Sequence, residues 1–215
     1  MRVLIVIAAW AILIFIGARM WPDAGAAATG SNELSAETRA ATLRFAPDVT
    51  PADRAWILGA IQRARPEARR LIDEVDGLVT VRTDLSGAVA IGLAESGPQG
   101  MSVNFDVAAL NGDRAIDRNV VVLHELGHIV DFVLADDALV RQLDAGIPPA
   151  GTCESTSDDF GACTAIEERF ADTFAKWALR GRISLAGSGY GIPAPASIED
   201  WGAPLGLLAG RLNAR

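Results

Sequence analysis

Apolar positions along the chain fall into three patterns. A continuous apolar run extends from Val3 to Ala18, flanked by Arg2 and Arg19. Short alternating or β-branched stretches at Thr42–Ala46, Leu78–Arg82, Ala88–Gly92 and Met101–Phe105 predict strands. Between the first two, Thr50-Pro51 predicts a helix start with an N-cap and a proline at its first position, and that helix carries Trp56, Ile57, Ala60 and Ile61. A further helix is predicted from Pro66 to about Glu74. After a polar turn at Asn111–Arg114, helical spacing of apolar residues returns over 120–134 and again over 164–180. In the second of these helices Phe170, Phe174 and Trp177 form an apolar stripe, and Arg169, Thr173, Lys176 and Arg180 a polar one. From 181 onward the chain is rich in Gly and Pro and carries Trp201. Strands first and helices afterwards predict an α+β fold with a small N-terminal sheet and a helical C-terminal half.

The chemistry is concentrated in the 120–134 helix. Both histidines of the chain lie in His124-Glu125-Leu126-Gly127-His128. Residues four apart stack on one helix face, so His124 and His128 can reach one metal ion. Glu125, on the neighbouring flank, is placed to hold and deprotonate a metal-bound water rather than to ligate. Two histidines leave a catalytic zinc site one protein ligand short of three, and no other histidine exists to complete it. The third ligand is therefore expected to be a carboxylate, with a cysteine as the alternative. Glu168 is the first choice, because it falls off the polar stripe beside the small Ala171 and Ala175, which let this helix approach another closely. Glu167 is the rival, but Thr164-x-x-Glu167 also reads as a capping box. Asp172, one turn after Glu168, can accept the second N–H of a ligating histidine. Asp131, one turn after His128, can support that imidazole or serve as an ordinary polar position.

At these residues a family resemblance is plain. HELGH followed by a helical E-x-x-x-D resembles the gluzincin type of zinc metallopeptidase. The string Glu168-Arg-Phe-Ala-Asp-Thr-Phe174 is similar to the E-x-F-A-E-x-F helix of the anthrax lethal factor-type catalytic domain. The resemblance covers roughly 120–134 and 164–180. It implies a zincin-like arrangement, with zinc held by His124, His128 and Glu168, Glu125 as the base and Asp172 supporting a ligand. It further implies a cleft lined by an edge strand that pairs with an extended peptide, at 88–92 or at 101–105. Lethal factor-type domains carry a tyrosine shortly before the ligand glutamate, whereas the one tyrosine of this chain, Tyr190, follows the second helix and is the candidate oxyanion donor.

The remaining composition sets the compartment. The segment 1–21 reads as a membrane anchor, with a cleaved signal peptide as the alternative because small residues at Ala24–Ala28 offer a cleavage site. Residues 22–36 read as a linker and 37–215 as the metallopeptidase domain. Either reading of the N-terminus exports the domain, and the two cysteines, Cys153 and Cys163, are spaced to close a disulfide in the polar stretch ahead of the Glu168 helix. A net charge of −8 with no basic cluster argues against nucleic acid. The expected partners are a peptide or protein substrate and, through the N-terminal segment, a membrane. Two other functions share the motif: a catalytically silent zinc-binding interaction domain anchored at the membrane, and a metallohydrolase acting on other amides such as cell-wall cross-links.

Overall fold

A computed structural model of the chain describes residues 43–86, 90–98, 100–111, 117–149, 165–182 and 192–212. All of these belong to one compact unit, Arg39–Arg215. The N-terminal segment 1–21, the linker 22–36, Cys153, Cys163 and Tyr190 lie outside the described residues. Among the described residues no helix is long and apolar enough to cross a membrane.

The fold is α+β: a mixed four-stranded sheet and, among the described residues, seven α-helices. Strand β1 (Arg44–Phe45) leads into α1 (Pro51–Arg63), whose start is fixed as expected by the Thr50 side chain accepting from Asp53 N–H at 3.1 Å and by Pro51. Helix α2 (Pro66–Val75) buries Ala68, Leu71, Ile72 and Val75, a repeat that keeps one stripe on the core. Strands β2 (Val79–Arg82), β3 (Gly92–Gly97) and β4 (Gly100–Phe105) follow, then the short α3 (Val107–Asn111). The spatial order is β1-β2-β4-β3, with β1 and β4 parallel to β2 and β3 antiparallel to β4.

Two strand expectations change. Of the expected strand at 88–92, Ala88 and Val89 lie outside the described residues, Ala90 and Ile91 are not in a strand, and Gly92 opens β3, which runs to Gly97. Its Leu93, Glu95 and Ser96 are exposed, so an edge strand with one covered face offered little apolar alternation to read. Met101–Phe105 is a strand, β4, but it lies between β2 and β3 and has no free edge.

The second half is helical. Helix α4 (Arg118–Leu134), which carries HELGH, is capped by the Asp117 side chain accepting from Asn119 N–H at 2.9 Å. It packs against the sheet on one side and α6 (Ile166–Ala178) on the other, with α1 and α2 alongside. This explains why every residue from Val122 to Asp131 is buried. Helix α5 (Asp137–Ala145) precedes α6. The Gly/Pro-rich tail folds into α7 (Ile198–Leu212), which docks on α2 and α6 and accommodates Pro204 inside the helix.

The polar stripe of α6 is solvated only at its end: Arg180 is exposed, but Arg169, Thr173 and Lys176 are buried because α4, α5 and α7 surround the helix. Arg169 pairs with Asp144 at 2.6 Å and donates to the Ile147 carbonyl, while Lys176 pairs with Asp172 and donates to the Ile192 carbonyl. Ala165 occupies the cap position of the helix, and Thr164 of the expected capping box lies outside the described residues.

The α6–α7 contact depends on a missing side chain. A Cβ at Gly202 would lie 1.9 Å from Trp177 Nε1, and neighbouring Trp201 donates to the Leu143 carbonyl at 2.9 Å. Gly202→Ala is therefore expected to lower stability by about 3 kcal/mol, the upper end for overpacking. Urea denaturation reads this directly, and an unchanged midpoint would mean that α7 does not dock on Trp177.

Candidate metal centre

Helix α4 presents His124 and His128 one turn apart, with Nε2 atoms 3.2 Å from each other and rings 4.8 Å apart at 82°. Helix α6 brings in Glu168, whose Oε2 lies 3.1 Å from His124 Nε2 and 3.5 Å from His128 Nε2. The close crossing of the two helices makes this possible. Gly127 faces Ala171 and Phe174, and a Cβ there would sit 3.2 Å from Ala171 Cα and 3.1 Å from Phe174 Cδ1. The small residues expected to permit close approach, Ala171 and Ala175, are both fully buried. Glu168, not Glu167, joins the histidines; Glu167 is exposed and outside the cluster.

The three donors fit a metal ion. A tetrahedral ion with bonds of about 2.0–2.1 Å holds its ligands roughly 3.3–3.4 Å apart. The separations of 3.1, 3.2 and 3.5 Å among these three atoms surround that value. Two imidazole nitrogens and one carboxylate oxygen also make a donor set suited to zinc, though other divalent metals accept it.

The charges are tightly coupled. Burial acts to raise the Glu168 pKa, but hydrogen bonds and charge from His124 and His128 win and hold it down to about 2. Burial likewise opposes protonation of His124, yet the Glu168 hydrogen bond and the charges of Glu125, Glu168 and Asp172 raise its pKa. Without metal, the centre is thus held by a charge-assisted pair, and a metal ion would displace that proton.

Glu125 lies outside this cluster, against β3. It is buried, with 6% of its surface exposed, and burial raises its pKa against the opposing charges of both histidines. Its carboxylate rests against Gly92, where a Cβ would be 2.5 Å from Oε1, and the Ala94 backbone acts to lower its pKa. Asp172 is buried in α6, where its carboxylate pairs with Lys176 and its charge acts on His124. Phe132 continues the α4 face one turn on and stacks over His128 at 6.0 Å.

Sequence reasoning missed Gly92, Ala94 and Lys176. A glycine opening a strand signals close approach of another group, and Lys176 sits four residues after Asp172, the spacing of a helical ion pair. Comparison with known protein families, curated proteins and solved structures finds no match.

Asp131 gives the centre a pH signature. Burial pushes its carboxyl up to about 6 from 3.8, with the charges of Glu167 and Asp137 acting the same way and His128 opposing. A buried acid with a raised pKa favours the fold when protonated. It therefore costs the metal-free protein stability as pH rises from about 4 through 6. Asp131→Asn is expected to stabilise the metal-free protein by about 1–2 kcal/mol at pH 7.5 and by almost nothing near pH 4. Urea titrations at both pH values check this; equal shifts at the two would contradict the assignment.

Proposed function

We propose that this protein is a zinc-dependent metallopeptidase of the gluzincin type, with a zincin-like arrangement in which α4 and α6 carry the centre beneath the edge of the sheet. The observation that carries the reading is the division of labour at HELGH. His124 and His128 converge with Glu168 on one point, while Glu125 is held apart on the strand side. A structural metal site has no use for a buried carboxylate standing beside, but outside, its ligand set.

His124, His128 and Glu168 would hold the ion, which when bound supplies a Lewis acid for the scissile carbonyl and acidifies water. Glu125 takes the proton from the attacking water and delivers it to the leaving amine. Its raised pKa in the metal-free protein brings its affinity for that proton closer to the working pH.

Strand β3 supports a peptide substrate. The Asp106 N–H donates to the Ile91 carbonyl at 2.9 Å. With the β3–β4 register, antiparallel alternation assigns the Leu93 and Glu95 backbone groups to β4 and directs those of Gly92, Ala94 and Ser96 to the other edge, which is unpaired among the described residues. An extended peptide can add there as a further strand, immediately beside Glu125. The domain works outside the cytoplasm, a reading supported by the apolar Val3–Ala18 run and by the cysteine pair.

Elemental analysis of the purified chain is expected to find about one zinc, lost in Glu168→Ala and kept in Glu167→Ala. Glu125→Gln is expected to keep the zinc and lose about 10²–10⁴-fold in peptide hydrolysis. A zinc-free wild type would overturn the reading, and a fully active Glu125→Gln variant would remove the proposed base.

A further inference from the structure

Strand β3 does more than border the site, because two of its residues meet the Glu125 carboxylate from different directions. Gly92 faces it with no side chain: an added Cβ would lie 2.5, 2.7 and 2.8 Å from Oε1, Cγ and Cδ. Nothing flexible could yield at that point except Glu125 itself. Two residues on, Ala94 directs its N–H outward, where β4 supplies no acceptor, and the Ala94 backbone favours the charged form of the same carboxylate. Among the described residues β3 is the edge strand that packs on α4; β4, its neighbour, is paired on both sides.

We propose that Gly92 and the Ala94 N–H are positioning groups for Glu125. Gly92 makes room for the carboxylate under the strand, and Ala94 fixes its direction. The inference rests on the reading of Glu125 as the base, and it assigns β3 the task of carrying that base as well as the substrate. The Ala94 N–H is also one of the donors a paired substrate strand would use. Docking a peptide on this edge therefore exchanges the Glu125 carboxylate for a peptide carbonyl, which releases the base as the substrate arrives.

Amide hydrogen exchange of the full chain, followed residue by residue by NMR, tests the assignment without substrate. Ser96 has the same outward orientation as Ala94 and no carboxylate beneath it, so it is the internal reference. In wild type the Ala94 amide is expected to exchange about tenfold or more slowly than that of Ser96. Glu125→Ala should bring the two rates together, whereas Glu125→Gln, whose side-chain carbonyl still accepts, should keep Ala94 slow. Gly92→Ala should speed Ala94 as Glu125→Ala does, while Leu93 and Glu95, bonded to β4, stay protected. Equal rates for Ala94 and Ser96 in wild type, or an Ala94 rate unmoved by Glu125→Ala, would overturn the proposal. Loss of Leu93 and Glu95 protection in Gly92→Ala would mark that residue as a strand former and overturn its part in positioning. The exchange rates are measured on the zinc-free chain, so a wild type that binds no zinc would sink the peptidase reading and leave this result to stand or fall by itself.

Discussion

The close contact of Gly127 with Ala171 is the constraint on which the centre depends. His124 and His128 are fixed relative to each other by one helical turn, but Glu168 belongs to another helix and reaches them only if α4 and α6 nearly touch. With a Cβ at 127 already 3.2 Å from Ala171 Cα, a side chain at this crossing could be fitted only by moving the helices apart. Helical packing normally keeps axes 8–10 Å apart according to the side chains between them. A shift of even an ångström would separate donor atoms that now lie 3.1–3.5 Å from each other.

Holding α6 that deep requires its polar side chains to be neutralised in place. Arg169 and Lys176 each find a carboxylate and a backbone carbonyl, and Arg65 stacks 4.8 Å over Trp177 while pairing with Glu199 at 2.5 Å. Such pairs contribute little net stability, but removing one partner strands a buried charge at a cost of about 3–5 kcal/mol. Their effect is to fix the rotation of α6. Arg169 and Lys176 lie two turns apart on one face of the helix, and with both engaged Glu168 reaches α4. Three buried side-chain atoms among the described residues have no hydrogen-bond partner: the Thr173 hydroxyl on α6, Arg65 Nε and Glu67 Oε2.

How much of this could be read in the chain depended on whether the signal was local. His124, Glu125 and His128 were legible because three residues of suitable chemistry share one helix at fixed spacing. Glu168 was legible because it breaks the polar stripe of its own helix. The stripe itself misled: Arg169 and Lys176 read as solvated, since their partners Asp144 and Ile192 lie 25 and 16 residues away. Strand β3 was misplaced because an edge strand needs only one apolar face, and Gly-Leu-Ala-Glu-Ser-Gly has little of one. Helix α7 was hidden by its own composition, since Gly202 is there to admit Trp177 and is not a helix breaker. The α+β class survived these errors because it follows from the order of strands and helices rather than from their edges.

The central claim is that two imidazoles and one carboxylate share one ion and leave a position open. X-ray absorption at the zinc edge of the zinc-loaded chain measures this most directly. Two imidazole nitrogens and light oxygen ligands at about 2.0–2.2 Å, with no sulfur, are the expected first shell. A sulfur distance near about 2.3 Å would place a cysteine in the centre, and a third imidazole would require a second chain; either result would contradict the site built from α4 and α6.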